Sequence, residues 1–185
     1  MNPRIISGSA KGQRLVVPVR GTRPMTDRVK SALFSIIQTL VQDSEVLDLF
    51  AGTGALGIEC LSRGAKSVVF VDKSKEAIRS INDNLRKTGL DSLGKVAKAS
   101  VSRFLDEYET FDMPLFKYDI IFITPPHDKF KEKTILKAGD FLQKDGVIVA
   151  ELPETRQTGE TIGMLEKVDE RVYGITKLCF FKIKE

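Results

Sequence analysis

Asp48-Leu49-Phe50-Ala51-Gly52-Thr53-Gly54-Ala55-Leu56-Gly57 is the stretch on which the rest of the chain depends. Residues 46–50, apolar but for Asp48, read as a strand, and residues 55–63 beyond it read as a helix. Glycines at 52 and 54 allow a tight turn and let the backbone approach a ligand with no β-carbon in the way. The next strand, residues 67–71, runs into Asp72, 24 positions after Asp48. In a dinucleotide-type fold an acid there accepts hydrogen bonds from two ribose hydroxyls. Gly52, Gly54 and Gly57 also satisfy the GxGxxG spacing that nicotinamide and flavin sites share. The acid at 48 turns the reading towards S-adenosylmethionine (SAM). A carboxylate suits a methionine ammonium and would repel a pyrophosphate.

Working outward, residues 4–7 and 14–17 are β-prone runs around the turn Gly8-Ser9-Ala10-Lys11-Gly12, which predicts a hairpin. A loop follows over residues 18–24. A helix is expected from Thr26 to about Gln42, with Thr26 or Asp27 as N-cap and Val29, Leu33, Phe34, Ile37 and Leu40 on one face. Downstream the pattern alternates: a helix over 75–88, a weaker strand over 95–99, and a short helix with Phe104 and Leu105. Residues 119–123 are continuously apolar after Asp119, as a central strand covered on both faces must be. A helix over 130–142 leads to a strand over 146–152. Two β-prone runs, 165–172 and 175–183, close the chain around Tyr173-Gly174. Alternating strands and helices specify an α/β fold with a mostly parallel sheet of seven strands, edged by an antiparallel C-terminal hairpin.

A second signal stands just past the central strand: Ile123-Thr124-Pro125-Pro126-His127. Two prolines fix the backbone and remove two N–H donors, so carbonyls are left facing whatever lies above the strand end. Ligands of open α/β sheets sit off the carboxyl ends of the strands, so this loop and the glycine loop can share one crevice. His127, the chain's single histidine, is placed for substrate contact.

At 185 residues the chain fits one domain, with residues 1–24 as a basic extension and 25–185 as the core. No apolar run approaches the roughly 20 residues of a membrane span, and the first residues lack a secretory apolar core, so a cytoplasmic location is expected. Cys60 and Cys179 lie in apolar surroundings without CxxC spacing and read as buried thiols. With one histidine there is no metal site to argue for. The charge is lopsided. Arg4, Lys11, Arg14, Arg20, Arg23, Arg28 and Lys30 face only Asp27 within the first 30 residues, while the other 155 are nearly balanced. A basic arm on a neutral body points to phosphate contacts and a nucleic-acid partner.

Together these residues resemble the bacterial 16S ribosomal RNA guanine-N2 methyltransferases, the RsmD-like family, almost from end to end. RIISGSAKGQRLVVP and TRPMTDRVKSALFSII look like its opening signature. VLDLFAGTGALGIECLSRGA and VVFVDK look like its SAM loop and ribose carboxylate, and IIFITPPH stands where it carries Asp-Pro-Pro-aromatic. The resemblance implies a Rossmann-like class I methyltransferase fold and methyl transfer from SAM to a guanine's exocyclic amine. It implies Asp48, Phe50, Ala51, Gly52, Thr53, Gly54, Asp72 and Lys73 around SAM, with Ser100 and Val101 at the adenine. Thr124, Pro125, Pro126 and His127 would form the acceptor site. Arg23, Thr26, Arg28 and Lys30 would dock RNA or close over the site, and Arg4, Lys11 and Arg14 would contact phosphates. The implied partner is ribosomal RNA or the assembling small subunit, met by a monomer.

Four positions depart from the family pattern. Thr124 replaces the usual Asp or Asn, His127 the usual aromatic ring, Ser31 the usual Glu, and Ser100 an Asp or Asn. Two rival readings therefore accompany the first. One is a SAM-binding protein that holds RNA or ribosome without transferring methyl. The other is an amino-methyltransferase for DNA or a small molecule.

Overall fold

The computed structural model describes residues 2–17, 25–111 and 117–185. The loop holding Arg20 and Arg23 and the side chain of His127 lie outside the described residues.

The strands are β1 (Glu45–Leu49), β2 (Ser67–Asp72), β3 (Gly94–Lys98), β4 (Tyr118–Ile123), β5 (Leu142–Pro153), β6 (Thr161–Ile162), β7 (Leu165–Tyr173) and β8 (Thr176–Ile183). They form one sheet in the order β3-β2-β1-β4-β5-β8-β7-β6. The pairs from β3 to β5 are parallel. Those from β5 outward are antiparallel. The two-residue β6 makes eight strands of the expected seven.

Strand periodicity divides the core. Val46, Phe70, Ile120, Phe122, Val147 and Val149 face one way, under α1 (Asp27–Ile36), α3 (Ala55–Ser62) and α4 (Lys75–Thr88). Leu47, Leu49, Val71, Ile121, Ile123, Ile148 and Ala150 face the other, under α5 (Val101–Asp106) and α6 (Glu132–Gly139). Each strand thus alternates between two buried faces, which is why residues 119–123 read as an unbroken apolar run after Asp119. Cys60 and Cys179 are both buried and unbridged. Among the described residues no helix is long and apolar enough to cross a membrane.

Three elements differ from the sequence reading. The N-terminal hairpin contracts to a single bridge, Arg4 with Arg14. Ile5, Gly12 and Leu15 still donate across it to backbone carbonyls, but other N–H groups are drawn elsewhere: Ile6 and Ser7 donate to the Glu59 carboxylate, Ala10 to Ser62 Oγ, and Val16 to Asn84 Oδ1. Ile5, Ala10 and Leu15 are buried in the first core, so the segment is built into that face. The helix expected over 26–42 divides at Ile37 (φ −96°, ψ 9°) into α1 and the four-residue α2 (Gln38–Val41). Ser35 Oγ donates back to the Ser31 carbonyl there, a bond that bends helices. The helix expected over 130–142 is only α6, because Phe141 and Leu142 are buried and Leu142 already opens β5, pairing with Tyr118.

Candidate active site

The chain leaves β1 for β2 on one side and later returns to β4 on the other, so loops part above the carboxyl ends of β1 and β4. The glycine loop fills one wall of this opening. Phe50 (φ 62°), Gly52 (φ 56°) and Gly54 (φ 76°) all take left-handed backbone. At Phe50, which carries a side chain, that conformation costs of order 1–3 kcal/mol and is held by its surroundings. Gly57 serves another purpose. A β-carbon there would lie 2.3 Å from the Phe70 ring, so its absence lets α3 rest on β2.

Two carboxylates brace the loop. Asp72 accepts from Gly52 N at 3.0 Å through one oxygen and from Ser74 N at 2.9 Å through the other. Asp48 lies beneath, 1% exposed, and accepts from Gly57 N at 3.0 Å. Burial pushes its carboxyl up to about 7, against the pull of that single N–H. The buried amide of Asn84 ties the arm to the loop, holding both backbone groups of Val16 and donating to the Thr53 carbonyl.

Two adjoining cavities open here. One, of about 470 Å³, is bordered by Asp72, Lys73, Ser74, Ser100, Val101 and Ser102, with Asp128, Lys129, Lys131 and Thr134 opposite. The other, of about 320 Å³, is bordered by Asp48, Ala51, Leu56, Pro125, Glu151, Met25, Lys30 and Ile175. Phe50, Gly52, Thr53, Thr124 and Pro126 border both. Nine of the ten residues expected around SAM line these cavities; Gly54 stands behind them, donating to the Ala51 carbonyl at 2.7 Å. Ser100 meanwhile caps α5, accepting from Arg103 N. Thr124 N reaches the Leu49 carbonyl at 3.4 Å, which sets the proline loop beside the glycine loop. The His127 backbone opens a short 3-10 turn over 127–129.

Of the residues expected to meet RNA, Lys11, Arg14, Thr26 and Arg28 are exposed. Thr26 caps α1 through Val29 N, and Arg4 stands 3.6 Å from Asp27. Lys30 is a correction. It is 1% exposed, and its ammonium donates to the Arg4 carbonyl and pairs with Glu59 at 3.2 Å. Burial lowers its pKa while Glu59 opposes that shift, and the side chain borders the smaller cavity without being exposed for docking.

Sequence reading missed Glu59, Met25, Ile175 and Glu151. Glu151 had a signal: it is an acid interrupting the apolar run GVIVAELP at a strand's carboxyl end. Burial pushes its carboxyl up to about 7. Among the described residues, no group of three or more His, Cys, Asp or Glu side chains is arranged to hold a metal.

The family described as "Conserved hypothetical protein 95" matches residues 3–182. "Putative rRNA methyltransferase YlbH" of Bacillus subtilis is 37% identical over 97% of this chain and 98% of its own. "Ribosomal RNA small subunit methyltransferase D" of Escherichia coli is 32% identical over 80% of this chain and 73% of its own. The solved structure of "Putative methyltransferase yhhF from Escherichia coli" superposes with a TM-score of 0.85 and 27% identity, over 100% of this chain and 99% of that one.

Proposed function

This chain belongs to the "Conserved hypothetical protein 95" family together with the small-subunit ribosomal RNA methyltransferases D, and from that premise we propose that it methylates small-subunit ribosomal RNA. The reaction is transfer from SAM to the exocyclic amine of a guanine. The observation that carries this reading is the pair of joined cavities, with carboxylates in both and the Thr124-Pro125-Pro126 turn at their junction.

The residues fit SAM. Asp48 is a buried carboxyl with one N–H partner, an environment that an ammonium would complete. Both Asp72 oxygens are held towards the larger cavity by backbone N–H groups and keep lone pairs for two ribose hydroxyls. Ser100 and Val101 border the space for adenine, and Lys73 its rim. When bound, SAM supplies a methyl group on a sulfonium, an electrophile that needs no metal.

The protein's task is then to prepare the amine. A guanine amine is a poor nucleophile because its lone pair is delocalised into the ring. Oxygen acceptors that hold its protons turn the lone pair towards the methyl carbon. The Pro125 carbonyl and the Thr124 hydroxyl are the acceptors at the junction. Pro126 and Phe50 border it and keep water from the reacting atoms. His127 follows and supplies a ring to stack on an extruded base. Positioning of this kind carries much of a rate without a strong base. With SAM bound, the Thr124 and Pro125 oxygens would hold the amine in line with the methyl group, and the proton lost on transfer would leave along the hydrogen bonds they make.

Outside the crevice, Lys11, Arg14 and Arg28 are the exposed charges for phosphates, with Arg23, Arg4 and Thr26 beside them in sequence or space. The chain acts as one domain and a monomer, in the cytoplasm where ribosomal RNA is met. SAM binding by calorimetry tests the cofactor half: Asp72→Ala should weaken it, whereas an unchanged affinity would remove Asp72 from the site. Thr124 motivates a second reading, since a neutral hydroxyl stands at the junction. A protein that binds SAM and RNA but never releases S-adenosylhomocysteine would be a scaffold without chemistry.

A further inference from the structure

Glu151 stands apart from every other acid near the crevice. The parallel ladder pairs Asp48 with Phe122, and Phe122 with Val149. Phe122 and Val149 lie in the first core, so the side chains of Asp48, Thr124 and Glu151 all rise from that face of the sheet. Asp48 sits at the level of Val149, and Glu151 two residues, roughly 6.6 Å, further towards the carboxyl ends. Ile123 pairs with Ala150, so Thr124 and Glu151 occupy the next rung side by side. The smaller cavity therefore has one acid at its floor and another near its mouth, next to the acceptor turn.

The two acids are treated differently. Asp48 is held by Gly57 N. The Glu151 side chain has no hydrogen bond or ion pair with any described residue, and burial alone raises its pKa. A half-buried carboxyl lining a cavity without a partner is costly unless a ligand completes it. The ammonium of the cofactor is already answered at the floor by Asp48. What remains at the mouth is the substrate base, and the base that offers a carboxylate two parallel donors is guanine, through N1–H and N2–H.

We infer that Glu151 reads the Watson–Crick edge of the acceptor guanine, one oxygen taking N1–H and the other the N2 proton nearer to it. This rests on the methyl-transfer reading above and adds to it the group that selects the base. The second N2 proton is left to the acceptor turn, where the Pro125 carbonyl and the Thr124 hydroxyl share it. Adenine offers no N1–H, and hypoxanthine has no amine, so each loses half of the fork or more.

The test uses GMP, IMP and AMP, titrated by NMR into the whole protein saturated with S-adenosylhomocysteine. Wild type should prefer GMP over IMP by about tenfold, the scale of one bidentate contact. Glu151→Gln keeps the shape and should bring the nucleotides within about twofold of one another, with SAM affinity unchanged. Three results overturn the inference: no preference in wild type, a preference that survives Glu151→Gln, or a tenfold loss of SAM affinity in that variant. The last would give Glu151 to the cofactor. Glu151→Asp, which retains the charge on a shorter stem, should recover part of the preference. A methyl-transfer assay on small-subunit RNA separates the two levels. Wild type that prefers GMP yet transfers nothing sinks the methyl-transfer reading, and wild type that transfers methyl without base preference sinks this one.

Discussion

The arm junction and the crevice each bury carboxylates, and they treat them in opposite ways. At the junction Glu59, fully buried, accepts from Ile6 N and Ser7 N and pairs with Arg63 at 2.9 Å and Lys30 at 3.2 Å. In the crevice Asp48 has a single N–H, and the Glu151 side chain has no partner among the described residues. A buried charge with its partners present organises a fold; one without them is a cost that a ligand removes. The difference separates the acid that holds the arm onto α3 from the acids to which we assign cofactor and substrate.

The largest effect should come from breaking the junction. Glu59→Ala leaves the Lys30 ammonium buried without its counter-charge, a loss of about 3–5 kcal/mol. At about 2–4 °C per kcal/mol for a chain of this size, the melting temperature should fall by roughly 10 °C. A melt unchanged by this substitution would mean that the junction does not hold the arm.

Asp48→Asn should act with the opposite sign. The native carboxyl is raised to about 7, above the unfolded value of about 3.9, so the native state binds the proton more tightly. This group therefore lowers stability as pH rises from about 4 to 7, and the loss is complete above that. Asparagine removes the charge and can still accept from Gly57 N. The ligand-free variant should melt higher than wild type at pH 8 and the same near pH 4, while SAM affinity drops by roughly 10- to 100-fold. Lower stability at pH 8 would place Asp48 with Glu59 as a structural acid.

Glu151→Gln sharpens the contrast further, since it should flatten base preference and leave SAM affinity in place. The smallest effect belongs to charges that are neither buried nor waiting. Reversing Lys11 and Arg14 to Glu should leave the melt and SAM affinity in place and weaken RNA binding regardless of sequence. The salt slope should fall by about one for each residue. RNA affinity unmoved at low salt would take the arm out of the docking face.

Much of the glycine-loop wall was legible because backbone demands leave fixed spacings. A tight turn needs Gly52 and Gly54, close packing on Phe70 needs Gly57, and the second strand ends in Asp72, whose carboxylate braces the turn. The four-stranded heart of the sheet was legible from its apolar runs for the same reason. Tertiary pairing hid the rest. Lys30 and Glu59 lie 29 positions apart and share no local pattern, so Lys30 counted as one more basic residue of the arm. The hairpin expected over 4–17 keeps only a short ladder, because several of its N–H groups turn to side-chain acceptors on α3 and α4, which strand propensity does not register. Glu151 was visible as an acid at a strand end. Its freedom from partners appears only when β4, β5 and β8 are in place.

The central claim is chemical, so the decisive measurement is transfer of labelled methyl from SAM to unmethylated small ribosomal subunits and to their naked RNA. The account predicts label on a single guanine, on its exocyclic amine, together with release of S-adenosylhomocysteine. SAM bound tightly with no label appearing on either substrate would contradict it.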